Sequence, residues 1–240
     1  MKKLIVITGA SSGIGEQTAK LFSSLGHPLL LLARRVEKLE ALNLPNTLCR
    51  KVDVRNIESF KSAIKEAEGQ FGPVDLMVNN AGVMLLGTAW EQDPTEWQNM
   101  LDINVMGVLN GIHAVINSMM ERNSGTIVNI SSIAGRKTFP NHAAYCGTKF
   151  AVHAISENIR QEVANKNVRM VTIAPGVVET ELLSHTTDET IKEGYKAWKK
   201  DVIEQGLSPI DIANAIEYAY KQPQNVCIRE IVIASTKQDA

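Results

Sequence analysis

Tyr145 and Lys149 stand four residues apart in the stretch AAYCGTKFAVHAI, whose alanines and apolar rhythm predict a helix. Side chains at i and i+4 of a helix lie one above the other on the same face. An ammonium beside a phenol favours the phenolate, so the pair predicts a tyrosine whose pKa falls from about 10 toward neutrality. An acid–base catalyst working near neutral pH needs such a group. A surface lysine beside a half-buried tyrosine has the same spacing, so the pair counts as chemistry only with partners elsewhere in the chain.

A second constellation lies near the N-terminus, where Thr8-Gly9-Ala10-Ser11-Ser12-Gly13-Ile14-Gly15 follows an apolar run and opens an amphipathic segment. Glycines let the backbone turn tightly and approach a pyrophosphate, and the helix that follows offers free N–H groups and a positive dipole end. The spacing is G-x-x-x-G-x-G, without the Lys-Ser/Thr pair of a nucleoside-triphosphate loop. NAD-binding sheets carry an acidic residue about 20 positions further on. Here that place is taken by Ala33, followed by Arg34 and Arg35. With no carboxylate to repel a 2′-phosphate and two guanidiniums to bind it, NADP(H) is expected over NAD(H), with Arg34 as the main contact.

These groups need a scaffold. Apolar runs read as strands over 2–7, 28–33, 47–53, 74–79, 125–131, 168–174 and 229–234. Several are nearly continuous, as in parallel strands covered on both faces. Helical patterns lie between them over 13–25, 36–42, 56–70, 94–121, 143–165 and 209–221. Asp93-Pro94-Thr95-Glu96 reads as an N-cap, a first-turn proline and a capping-box glutamate, and Ser208-Pro209-Ile210-Asp211 repeats much of that pattern. The alternation predicts an α/β fold, a Rossmann-type doubly wound parallel sheet of about seven strands with helices on both faces. The expected organisation is one domain over 1–240. Its one irregular insertion, 176–207, carries Leu182, Leu183, Tyr195 and Trp198 and reads as a lid.

Composition narrows the setting. A hydrophobic content of 44%, 21% charged residues and a formal net charge of -1 fit a soluble globular protein. They offer nothing to nucleic acid or an anionic membrane. The apolar run behind Lys2-Lys3 is too short for a secretory signal, and the leucines at 29–32 are too few to span a bilayer. Cys49, Cys146 and Cys227 lack CxxC spacing, which points to the reducing cytoplasm and away from disulfides. None of the five histidines has ligand spacing, so no metal is expected.

With these residues in hand the chain resembles the short-chain dehydrogenase/reductase family, in its single-domain branch, over essentially its whole length. The motifs that carry the likeness are TGASSGIG, NNAG at 79–82, Asn104 in DINVMG, Ser131-Ser132 in VNISSIAG, YCGTK, and PGVVET at 175–180. The resemblance implies that Gly9, Ser11, Gly13, Ile14 and Gly15 form a dinucleotide turn, with Ser12 reaching the adenosine phosphate. It places Asp53 and Val54 at the adenine, Asn80, Ala81 and Gly82 on the ribose side, and Pro175, Gly176, Val178 and Thr180 around the nicotinamide. It selects Ser132 over Ser131, thirteen residues before Tyr145, to hold a carbonyl oxygen. Tyr145 would give or take the proton, and Lys149 would tune it and bind the nicotinamide ribose. Asn104 would anchor a water linking Lys149 to solvent. A homotetramer or homodimer through the two long helices is implied as well.

The expected partner is a small-molecule carbonyl or alcohol. One alternative is a β-ketoacyl carrier-protein reductase, which shares the Ser-Tyr-Lys-Asn set, but the tail Arg229–Gln238 lacks the double glycine that usually ends those enzymes. Together with Ala33-Arg34-Arg35 it is more similar to bacterial NADP-dependent 3-hydroxy acid (serine-type) dehydrogenases and broad carbonyl reductases. Residues 176–207 hold no arginine cluster to clamp a carboxylate, and Leu182, Leu183 and Trp198 suit an apolar alcohol, ketone or aldehyde at least as well. The reading from another class is an NADPH-binding sensor with little turnover. The complete Ser-Tyr-Lys-Asn set weighs against it. Beside the catalytic pair, Cys146 points about 100° away from Tyr145 and reads as packing. His142, one helical turn before Tyr145, reads as a surface or capping residue, with the rim of the substrate cleft as the alternative.

Overall fold

All five residues of Leu4–Thr8 (β1) are buried, but alternate side chains enter different cores. Leu4 and Val6 join one cluster, Ile5 and Ile7 the other. A strand covered on both faces is apolar at every position, which is why β1 and Leu29–Ala33 (β2) read as unbroken runs. Each fully buried aliphatic side chain of this kind contributes about 1.5–3 kcal/mol. The structure is a computed structural model and describes residues 2–238.

Gly13–Ser24 (α1) links β1 to β2, and Val36–Glu40 (α2) leads to Thr47–Lys51 (β3). Ile57–Phe71 (α3) precedes Val74–Asn79 (β4), then Pro94–Leu101 (α4) and Gly107–Glu121 (α5) lead to Gly125–Ile130 (β5). Ala143–Glu162 (α6) runs to Val168–Pro175 (β6), and Glu189–Trp198 (α7) and Pro209–Tyr220 (α8) precede Glu230–Ile233 (β7). All seven strands pair in parallel in the order β3-β2-β1-β4-β5-β6-β7. The order reverses between β1 and β4, so the loops leaving their C-terminal ends diverge and open a crevice. Phe22, Ile212 and Ile216 of α1 and α8 cover one face, and Phe60, Val108, Ile112 and Val152 of α3, α5 and α6 cover the other.

Three elements differ from their sequence reading. The helix expected over 94–121 is broken by a π turn, Asp102–Met106, in which Gly107 N–H donates to Asp102 C=O. The wider turn aims Asn104 at the 82–83 backbone, where Val83 N–H donates to its Oδ1 at 2.8 Å. The whole run Pro94–Glu121 is long and apolar enough to cross a membrane by composition, but Val108, Ile112, Val115 and Met119 are buried against the sheet. At its start Asp93 caps the helix through Thr95 N–H at 2.8 Å. Glu96 does not close a capping box. Its carboxylate accepts from Gln92 Nε2 at 3.0 Å and Thr187 Oγ1 at 2.6 Å. At α8 the reciprocal Ser208–Asp211 box does form.

The insertion 176–207 is helical for much of its length. A 3-10 turn, Glu181–His185, precedes α7, whose Asp188 cap accepts from Ile191 N–H at 3.0 Å, and a second π turn spans Lys199–Ile203. Ile191, Tyr195 and Trp198 recur at helical spacing and turn the apolar side of α7 inward. Thr186 pins the segment to the β4 exit loop, donating to Met84 C=O at 3.2 Å and accepting from Leu86 N–H at 3.3 Å.

Candidate active site

The crevice at the β1/β4 reversal is a cavity of about 1160 Å³. At one end stands the glycine turn. Gly9 and Gly13 have φ of 64° and 55°, in the left-handed region that favours glycine. A Cβ at Gly9 would lie 2.8 Å from Ala81 Cα, and one at Gly15 would strike the Gly9 carbonyl oxygen. The turn is tied to β4 through Thr8, whose Oγ1 accepts from Asn80 N–H and Ala81 N–H, both at 3.0 Å. Asn80 Nδ2 donates back to Thr8 C=O at 2.9 Å and Gly9 C=O at 3.2 Å. Asn80 is therefore a clamp on the turn as well as part of the cavity wall. Ser12 is the N-cap residue of α1 but makes no side-chain cap, which leaves the first-turn N–H groups uncapped where Gly13 and Ile14 line the cavity.

Ser11, Ser12, Gly13 and Ile14 line this end, with Arg34 and Arg35 at its rim, while Gly15 stands behind the turn. Arg34 is exposed. Arg35 is the engaged one, its Nη2 donating to Ser11 Oγ at 3.3 Å, Ser12 Oγ at 3.2 Å and Glu181 Oε2 at 3.1 Å. Asp53 and Val54 line the neighbouring wall. The Asp53 carboxylate is held below its usual range by Arg55, which donates through Nε at 3.0 Å and Nη2 at 2.6 Å. Val54 C=O accepts from Asn110 Nδ2 at 2.8 Å. Arg55 was not legible as a partner, although its place two residues after Asp53 is the only signal it carries.

At the other end α6 brings Tyr145 and Lys149 to the wall, 5% and 7% exposed. Ser132 begins the 3-10 turn after β5. Its Oγ accepts from Ala134 N–H at 3.1 Å, donates to Pro175 C=O at 3.4 Å and lies near the Tyr145 phenol. Burial pushes that phenol above its ordinary range, and the neighbouring Ser132 hydroxyl pulls the other way. The depression expected from Lys149 is absent. Lys149 Nζ lies 5.7 Å from the Tyr145 ring centroid and donates instead to Ile130 C=O at 3.0 Å. Four-residue spacing brings the two stems together, but the long lysine side chain carries its charge on to the end of β5. Burial lowers Lys149 itself to about 8.

Asn104 does not reach the cavity wall. It is 1% exposed, and its Nδ2 donates to Val83 C=O at 2.9 Å and Thr148 Oγ1 at 3.2 Å. Gly82, between them, leaves room for Lys149 Nζ, which would lie 3.8 Å from a Cβ there. Pro175, Gly176, Val178 and Thr180 line the floor, with Thr180 against Gly13.

Three further lining residues had weak or no sequence signals. His142 precedes Ala143 at the start of α6, its Nδ1 2.6 Å from Pro140 C=O, yet its ring also stands 6.2 Å from Tyr145 and 6.1 Å from Tyr195. Tyr195 continues to Trp198 at 5.4 Å, so an aromatic row leads from Tyr145 to α7. Gln238, in the tail, accepts from Val177 N–H at 2.9 Å.

The model of the family described as short chain dehydrogenase matches residues 3–191. An uncharacterized oxidoreductase of Staphylococcus saprophyticus is 40% identical over 242 residues, covering 98% of this chain and 97% of that protein. Another, of Listeria monocytogenes, is 41% identical over 244 residues, covering 98% and 97%. Among solved structures, the closed form of a serine dehydrogenase complexed with NADP+ superimposes with a TM-score of 0.88 at 30% identity, covering 99% of this chain and 96% of that one. An alcohol dehydrogenase of the archaeon Thermococcus sibiricus, complexed with 5-hydroxy-NADP, gives 0.86 at 28% identity, covering 100% and 99%.

Proposed function

Because the chain belongs to the short-chain dehydrogenase family of oxidoreductases, we propose that it interconverts a secondary alcohol and its carbonyl with NADP(H), the whole chain serving as one catalytic domain. The observation that carries this reading is the meeting of Ser132, Tyr145 and Lys149 at one cavity wall, with Lys149 Nζ 5.7 Å from the Tyr145 ring centroid. The glycine turn fits the dinucleotide: glycine at 9 and 15 lets it fold tightly against Asn80 and Ala81, and Ser11, Ser12, Gly13 and Ile14 then line the cavity. NADP(H), when bound, supplies or accepts the hydride.

The protein's own groups do the rest. The α1 N-terminus and Ser11–Ile14 would hold phosphate, Arg34 and Arg35 the 2′-phosphate, Asp53 and Val54 the adenine, and Lys149 the ribose hydroxyls. Ser132 would donate to the substrate oxygen as it gains negative charge, and Tyr145 would deliver the proton to that oxygen. The Asn104 side chain is spent on Val83 and Thr148. A water relay to Lys149 would therefore use the carbonyls of the π turn, while the side chain holds the loop in place. Phe139, His142, Leu182, Tyr195 and Trp198 surround the substrate end, and the arginines lie at the opposite end. This favours an apolar ketone or alcohol. A 3-hydroxy acid would depend on Lys137, the lining lysine that is neither in the Lys199–Glu179 ion pair nor the buried Lys149. Three free cysteines suit a cytoplasmic setting. Exposed Leu101, Met106 and Phe150 on the two long helices suit a homo-oligomer.

Tyr145→Phe tests the mechanism. Turnover of a carbonyl panel, followed by NADPH absorbance, should fall by about 10²–10⁴-fold with NADPH affinity retained. Turnover that survives in the variant overturns the role of Tyr145. A wild-type protein that binds NADPH and reduces nothing on the panel would favour the sensor reading.

A further inference from the structure

Arg35 already holds an anion. Besides Ser11 and Ser12, its Nη2 donates to Glu181 Oε2 at 3.1 Å, and Lys38 Nζ lies 3.6 Å from Glu181 Oε1. Arg35 is the first cause that keeps the Glu181 carboxyl below its usual range. These donors are the ones that the proposed function gives to the phosphates of the cofactor. Glu181 also has a second attachment. It opens the 3-10 turn Glu181–His185, directly after Thr180, which caps that turn and packs on Gly13. At the far end of the turn Thr186 is fixed to Met84 and Leu86, and α7 follows. A single carboxylate thus ties the rim of the cofactor end to the start of the cover over the substrate end.

We infer that Glu181 is a built-in competitor for the 2′-phosphate and a latch between cofactor identity and the helical cover, an inference that rests on reading Arg35 as the 2′-phosphate site. A phosphate monoester carries about -1.5 to -2 charge and three acceptor oxygens, against one charge and two oxygens on a carboxylate. Arg–phosphate pairing is bidentate and strong, so the phosphate takes the guanidinium. Two anions sharing one guanidinium repel each other, so Glu181 leaves. Its departure releases the first turn of the cover from the rim. A dinucleotide without the 2′-phosphate leaves the Arg35–Glu181 pair intact and the turn held. The carboxylate therefore lowers affinity for NADP(H) while making the cover respond to it alone.

The test titrates adenosine 2′,5′-bisphosphate and 5′-AMP into wild-type, Glu181→Gln, Arg34→Ala and Arg35→Ala proteins by calorimetry, with backbone hydrogen exchange followed over 181–198. Glu181 is half exposed, so the gain is moderate: the Gln variant should bind the bisphosphate about 3- to 10-fold more tightly than wild type, with 5′-AMP affinity unchanged. Exchange over 181–185 should rise in wild type with the bisphosphate and not with 5′-AMP, and should start high in the variant. Equal or weaker bisphosphate binding by Glu181→Gln overturns the latch. The underlying reading fails separately. If neither arginine variant loses the preference for bisphosphate over 5′-AMP, the 2′-phosphate does not sit there and the latch falls with it.

Discussion

A phenol whose pKa is raised by burial stays protonated at neutral pH and is ready to donate. Reduction by this enzyme should therefore be nearly flat with pH around neutrality, whereas alcohol oxidation, which needs the proton removed, should climb as pH rises. Initial rates in both directions across pH 6–10 check this, and an oxidation rate flat over that range would contradict it. Lys149 makes a separate prediction about stability. Its ammonium is lowered by burial from the ordinary 10.5 to about 8, so between those values the unfolded chain binds more protons than the folded one. Stability from this residue rises with pH across that window and is constant below it. Urea melts of wild type and Lys149→Met should show a wild-type gain over pH 8–10.5 that the variant lacks, and the variant should also bind NADPH more weakly. The four-residue spacing made the pair visible in the sequence. It could not show that Lys149 spends its charge on Ile130, because spacing locates stems and not the ends of long side chains.

Helix signals located α4, α5 and α6, but not the π turn. One extra residue in a turn barely disturbs a 3.6-residue hydrophobic period, so Pro94–Glu121 reads as unbroken. What the turn achieves is visible only in three dimensions: it points a buried asparagine at both the N–H and C=O of Val83. Asn104→Ala strands those groups and should cost about 1–3 kcal/mol by chemical denaturation, with turnover reduced. An unchanged unfolding midpoint would show that water replaces the side chain. Residues 176–207 are the converse case. Their polar composition suggested irregular chain, yet the Asp188 cap and the Ile191, Tyr195 and Trp198 spacing were the marks of a helix. Glu96 was misassigned because a carboxylate three residues after a cap has more than one donor in reach. Here Gln92 and Thr187 took it, and Thr187 was invisible until the fold brought it near.

At the scale of the molecule, the continuous apolar strands gave away a sheet buried on both faces, and its reversal between β1 and β4 puts the site where all strands end. The strand pairing of β7 carries a practical consequence. Beyond β7 the chain turns back so that Gln238 accepts from Val177 N–H, and a Cβ on neighbouring Gly176 would collide with that side chain. Gln238 is thus wired to the floor of the pocket, whereas Lys3 sits with Asp75 at the opposite edge of the sheet. A residue remote in sequence from every nucleotide motif should therefore be felt at the cofactor. Gln238→Ala frees Val177 N–H and should weaken NADPH binding, while Lys3→Ala, at the opposite edge, should not. Side-by-side titration of the two variants decides it, and equal affinity would mean that the tail does not shape the pocket floor.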